Sequence, residues 1–315
     1  MLHPSFTTFL VAVVAFTAVT RADDAAVAAR TMSPAGTVSI VFVGDVMLDN
    51  GPGHVVASGR DPFAACADML LDADFTIGNL ECVLGKAGKM VPKAYSFRAA
   101  EDSPRYLNRY FTALSLGNNH AFDFGPEGLL ETCTILDREK IGRFGAGHTL
   151  ADARRPLELE KDGLRIAILA ANGFRADNYA ATATSPGVAP LREADLLADI
   201  AAARKRADVV IPFVHWGDEL AAEPLATDRA FARSMVEAGA AAVIGGHPHV
   251  TQTVDVHRGA PIVYSLGNFV FDYYPCDPPE WTGWVVKLTL VKGEPVTLET
   301  RAVVLDPAGL PRPAP

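Results

Sequence analysis

Cysteine is sparse, and Cys66, Cys82, Cys133 and Cys276 include no C-x-x-C pair. Their spacing argues against a zinc–cysteine site or a dithiol redox motif. Two disulfides remain allowed in an oxidising compartment, with three connectivities, and buried free thiols are the other reading. A block of lysine and arginine is also missing: 28 basic residues stand against 37 acidic ones, a net charge of −9. Such a surface repels polyanions unless a bound cation or a local basic patch reverses the field, which sets nucleic acid aside as a partner. After the first twenty residues there is no uninterrupted apolar run long enough to span a bilayer. No internal repeat is visible, which excludes a solenoid.

What is present begins with a largely apolar run from Phe9 to Val19, closed by Thr20, Arg21 and Ala22. It reads as a signal peptide over 1–22, cut near Ala22. The front end offers only the α-amine and His3 as positive charge, so an uncleaved anchor is the alternative, and the only membrane contact expected. Either way the domain is expected outside the cytoplasm, periplasmic or extracellular. No cysteine near the cut provides a lipoprotein attachment site. Residues 23–36, rich in alanine, read as a short exposed connector. The domain is expected over 37–305. The proline- and glycine-rich stretch 306–315 is expected to fray, because proline has no N–H to donate.

About half of the 315 residues are apolar, enough for one large core. Short β-branched runs read as strands: Val38–Val43, Phe75–Ile77, Thr112–Leu116, Arg165–Ala171, Val209–Val214, Ala241–Ile244 and Ile262–Ser265. Amphipathic stretches at 62–71, 128–140, 191–206 and 228–238 alternate with several of them. Alternation of this kind predicts an α/β protein with buried, largely parallel central strands. The last third, with strands expected at 251–256, 284–291 and 297–304 and few helices, implies a second sheet with antiparallel parts.

Polar, metal-competent residues follow the apolar runs directly. Strand ends deliver Gly44-Asp45, Gly78-Asn79-Leu80-Glu81, Gly117-Asn118-Asn119-His120, His215-Trp216-Gly217 and Gly245-Gly246-His247-Pro248-His249. In an α/β sheet the carboxyl ends of strands are where ligands bind. The glycines are expected to let the backbone turn sharply there. Each residue alone has an ordinary reading: Asp45 a helix cap, Glu81 a surface charge, His215 a satisfied buried ring. Five such sites together point to a cluster of nitrogen and oxygen donors with no thiolate. That donor set favours Mn, Fe or Zn.

These residues, with Asp123, Gly125 and the Ser265-Leu266-Gly267-Asn268-Phe269 segment, resemble in the same order the CapA proteins of capsule synthesis, over roughly Val38 to Phe271. That family is associated with making or exporting poly-γ-glutamate and is similar to calcineurin-like metallophosphoesterases. The resemblance implies a four-layer α/β/β/α sandwich with a metal cleft at one edge of the two sheets. It implies Asp45, Asn119, His215, His247 and His249 as metal ligands and His120 as a catalytic group, with Asp123 orienting its imidazole. Two positions depart from the phosphoesterase pattern. Met47 stands where that pattern has a histidine, and Asn79 where it has a bridging aspartate, with Glu81 as the carboxylate expected to reach in instead. One or two divalent ions are therefore expected.

The chemistry implied is metal-dependent hydrolysis of a phosphoester, or of an amide such as the γ-glutamyl link, with an anionic polymer or small phosphoester as substrate and envelope capsule-synthesis proteins as partners. The rival readings are a general phosphoesterase and a non-catalytic envelope protein that binds polymer. A lectin-like surface built on Trp216, Trp281 and Trp284 is a third, and Arg98 is either an anion receptor or a surface ion pair.

Overall fold

The computed structural model describes residues 29–272 and 281–315; the expected signal segment and Cys276 lie outside them. In chain order the strands are β1 Thr37–Val46, β2 Phe75–Leu80, β3 Ala113–Ser115, β4 Gly142–Phe144, β5 Ala146–Gly147, β6 Leu157–Lys161, β7 Leu164–Asn172 and β8 Gly187–Val188. They continue with β9 Val209–His215, β10 Val243–Gly246, β11 Val254–His257, β12 Ala260–Val263, β13 Asn268–Val270, β14 Thr282–Val291, β15 Thr297–Leu305 and β16 Pro311–Pro313.

Strand β1 shows how the sequence makes layers. Val38, Ile40 and Phe42 face the second sheet, where they join Ile168 of β7, Phe213 of β9 and Ile244 of β10. Val41 and Val43 face the other way, onto Leu70, Leu107 and Leu129 of helices Ala67–Leu71, Ser103–Tyr110 and Gly125–Arg138. A strand covered on both faces must be apolar on both, which is why this run does not alternate. Strand β9 mirrors it: Ile211 and Phe213 point between the sheets, while Val210 and Val214 meet Ile200 and Met235 of helices Glu193–Ala203 and Ala226–Glu237. The product is a four-layer α/β/β/α sandwich. Phe42 and Phe213 meet edge to face across its centre, with ring centroids 5.8 Å apart.

The first sheet runs β16-β15-β14-β1-β2-β3-β4, with β13 beside the end of β1; the second runs β11-β12-β10-β9-β7-β6. Strands β1 to β4 are mutually parallel, as are β7, β9, β10 and β12. Parallel strands put their carboxyl ends on one edge, and the register there is specific. Asp45 lies between Asn79 of β2 and Asn268 of β13, and His215 opposite Gly246.

Several expectations change. The antiparallel strands β14 to β16 extend the first sheet; the second is organised by β7, β9 and β10. The stretch 306–315 does not simply fray: β16 pairs with β15, and its prolines are accommodated because it is an edge strand. The connector is docked on the domain from Arg30 on, whose guanidinium donates to Ala73 O at 3.1 Å, Thr76 Oγ1 at 2.6 Å and Tyr110 O at 2.7 Å. Cys66, Cys82 and Cys133 are buried free thiols, and burial pushes the Cys66 thiol up to about 12.

Candidate metal centre

Asp45 ends β1 and is fully buried. Its Oδ1 accepts from Asn79 Nδ2 at 2.8 Å, while its Oδ2 has no hydrogen-bond donor among the described residues. His249 Nδ1 lies 3.3 Å from Oδ2 and 2.9 Å from Asn268 Oδ1. Glu81, directly after β2 and also fully buried, accepts from Asn79 Nδ2 at 3.2 Å through Oε2. Its Oε1 has no donor and lies 3.6 Å from His215 Nε2 and 3.9 Å from His249 Nε2. Across the cleft His215, the last residue of β9, lies 2.8 Å from Asn119 Oδ1 and 3.1 Å from His247 Nδ1 through its Nε2. His247 is fully buried, packs on Phe174 with centroids 4.5 Å apart, and leaves Nε2 without a partner.

Three buried polar atoms in one region, Asp45 Oδ2, Glu81 Oε1 and His247 Nε2, have no partner among the described residues and are costly unless something supplies them. Carboxylate oxygens and an imidazole nitrogen are the donors that divalent cations take. Ligand-competent atoms also lie within 4.8 Å of one another in two sets: Asp45, Glu81 and His215, all buried, and exposed Glu219, buried His247 and half-buried His249. The electrostatics agree. Burial opposes the charge on Asp45, but contact with His249, then His215 and Asn79, outweighs it and holds the carboxyl well below the usual range. Burial and then the Asp45 charge push Glu81 well above it. Burial lowers His215 to about 3 and His247 well below normal, so both rings are neutral, as ligands must be.

Beside the cluster His120 Nδ1 meets Asp123 Oδ2 at 2.8 Å. Asp123 also accepts from Phe97 N at 2.7 Å and from Lys93 Nζ. A carboxylate taking three donors assigns the proton to His120 Nδ1 and leaves Nε2 with the lone pair. Burial lowers the His120 pKa, with Asp123 partly offsetting it.

The structure thus brings together all eight singled-out residues. Sequence reasoning missed Lys93 and Glu219, and named Asn268 in a motif without giving it a role. Lys93 sits in a loop without periodicity and donates to Asn119 O at 2.9 Å as well as to Asp123. Met47 is buried in the core, its Sδ 3.1 Å from Asp49 N. Gly217 turns the backbone, with φ of 83°, whereas Gly44 and Gly246 serve close approach: a Cβ on Gly44 would sit 1.8 Å from Gly267 O, and on Gly246 3.3 Å from Asp45 Oδ1. The left-handed backbone also falls on the histidines themselves, with φ of 96° at His247 and 60° at His249. Trp216 is core, its Nε1 donating to Tyr264 O at 2.9 Å. Arg98 ties a loop through Gly85 O at 2.6 Å and Ala87 O at 2.9 Å.

The family model described as bacterial capsule synthesis protein PGA_cap matches residues 39–273, which spans every residue of this centre. The chain belongs to that family. It is 34% identical over 241 residues to the PGA biosynthesis protein CapA of Bacillus subtilis (strain 168), covering 75% of this chain and 63% of that one. It is 32% identical over 246 residues to the capsule biosynthesis protein CapA of Bacillus anthracis, covering 75% and 60%. The match thus spans about three fifths of the length of these PGA_cap relatives. Among solved structures, a hypothetical protein from Thermus thermophilus superposes with a TM-score of 0.51 at 18% identity, covering 84% of this chain and 98% of that one. A 5'-nucleotidase precursor from the same organism gives 0.51 at 14%, covering 88% and 56%. Both share the fold. No helix among the described residues is long and apolar enough to cross a membrane.

Proposed function

We propose that this PGA_cap chain is an exported protein that acts in making or exporting a poly-γ-glutamate-type capsule polymer, through a divalent-cation hydrolase centre at the strand ends. The observation that carries the centre is the group of three partnerless buried atoms on Asp45, Glu81 and His247. When bound, a divalent ion lowers the pKa of a water and polarises the phosphoryl or acyl group under attack. The chain's own residues do the rest. Asp45, Glu81, Asn119 and His215 would hold the ion, with His247 and His249, grouped with Glu219 in a second ligand-competent set, beside it. His120, anchored through Nδ1 on Asp123, takes the proton of the attacking water at Nε2 and returns it to the leaving oxygen or nitrogen. The cation also offsets the acidic surface locally, which admits an anionic substrate.

The test is metal content by elemental analysis after loading with Mn, Fe or Zn, followed by phosphoester and γ-glutamyl amide hydrolysis, for wild type and His120→Ala. Bound metal in both proteins with turnover only in wild type supports the reading. Metal without turnover on either substrate class turns it into a polymer-binding role. Absence of metal after all three loadings removes the hydrolase centre.

A further inference from the structure

Asn79 occupies the place where a two-ion centre needs a shared oxygen, and its orientation follows from a series of hydrogen bonds that starts at Asn118. The backbone N–H groups of His120 and Ala121, at 2.9 and 2.8 Å, can only donate, so the Asn118 atom that meets both is Oδ1. Its other end is therefore Nδ2, which donates to Leu80 O at 2.9 Å and to Asn79 at 2.8 Å. The Asn79 atom receiving that bond must be Oδ1. Its NH2 is then the end turned on the cluster, donating to Asp45 Oδ1 and Glu81 Oε2. Flipping the Asn79 amide would set N–H against N–H at Asn118 and oxygen against two carboxylates.

We propose that Asn79 is a positioning residue and not a ligand: locked by Asn118, it clasps one oxygen of Asp45 and one of Glu81, leaving Asp45 Oδ2 and Glu81 Oε1 to a single divalent cation. The proposal rests on the cluster being a cation site. Charge supports the count, since two buried carboxylates balance one divalent ion. The third acid within reach, Glu219, is exposed. A second ion about 3.5–4 Å from the first would face an amide donor at the point where a bridging oxygen is needed to hold two cations together. The clasp also explains why each carboxylate keeps one oxygen free.

Two measurements on the full chain test this. Bound Mn is counted after loading and desalting in wild type, Asn79→Asp and Asn79→Ala, and metal-free melting is compared between wild type and Asn118→Asp. One equivalent is expected in wild type, rising toward two in Asn79→Asp, because aspartate keeps the oxygen that faces Asn118 and puts a second where the NH2 was. Asn79→Ala keeps one equivalent but binds it about tenfold or more weakly. Asn118→Asp still accepts the two backbone N–H groups but can donate neither to Leu80 O nor to Asn79, whose amide must turn over, so melting falls. Two equivalents in wild type with one lost in Asn79→Ala would make Asn79 a ligand and overturn the proposal, as would a single equivalent in Asn79→Asp. No metal in wild type sinks the hydrolase centre instead, and the clasp is then decided by melting alone: an unchanged Asn118→Asp transition removes it.

Discussion

Strands β1 and β2 have buried carboxylates at both ends, and the two ends are built in opposite ways. At the amino ends Asp74 accepts from Ser33 N at 2.9 Å, Ser39 N at 2.8 Å and Ser39 Oγ at 3.2 Å, and pairs with Lys161 Nζ at 2.8 Å. At the carboxyl ends Asp45 and Glu81 each keep one oxygen without a donor. A carboxylate that completes the fold finds its donors within the chain, whereas one that serves a ligand is left short of them. The same two strands thus separate a structural acid from functional ones by partner count, though all three are buried.

The sharpest way to break this contrast is Asp45→Ala, which is expected to strip bound metal and take hydrolysis below detection; elemental analysis alongside turnover checks it, and retained metal would mean the cluster is not the site. Next is stability. Asp74→Asn removes the charge that Lys161 Nζ meets at 2.8 Å, while Lys161 keeps Ser33 O and Thr37 O, and should cost about 3 kcal/mol in urea unfolding. Asp45→Asn in metal-free protein should cost less than Asp74→Asn, because the loss of the His249 contact is partly offset by relief of the charge that faces Glu81. A smaller effect separates the ends by ligand: Mn at about 100 times its Kd should add roughly 2.7 kcal/mol to wild type and to Asp74→Asn, and none to Asp45→Ala.

The smallest effect concerns acid. Burial works against the Asp74 charge, but Lys161 and the Ser39 and Ser33 donors outweigh it and hold the carboxyl at about 2 against an ordinary 3.8. A depressed folded pKa gives stability that is complete above the unfolded value and lost as pH falls through the folded one. The unfolding free-energy gap between wild type and Asp74→Asn should therefore be flat above about pH 4 and shrink by about 2 kcal/mol toward pH 2.

Much of the centre was legible because its residues follow apolar strands at the sheet edge. Asp45, Glu81, His215 and His247 needed only the strand run before them. The layers were legible for a related reason: β1 and β9 are apolar on both faces. What escaped depends on pairings distant in sequence. Asp74 takes one of its donors, Ser33 N, from a stretch that reads as connector, and Lys93 reaches Asp123 across 30 residues from an irregular loop. Asn79 is a donor only because Asn118, 39 residues later, is pinned by its own backbone. The orientation of an amide has no signature in composition or period.

Strand β16 also bears on how these molecules behave when crowded. Ala314 N donates inward to Ala302 O, so along β16 the N–H positions that would point outward fall at 313 and 311, and both are prolines. That border of the first sheet offers carbonyls there but no N–H at either position. A neighbouring strand therefore finds half of its ladder missing, and this border resists edge-to-edge aggregation.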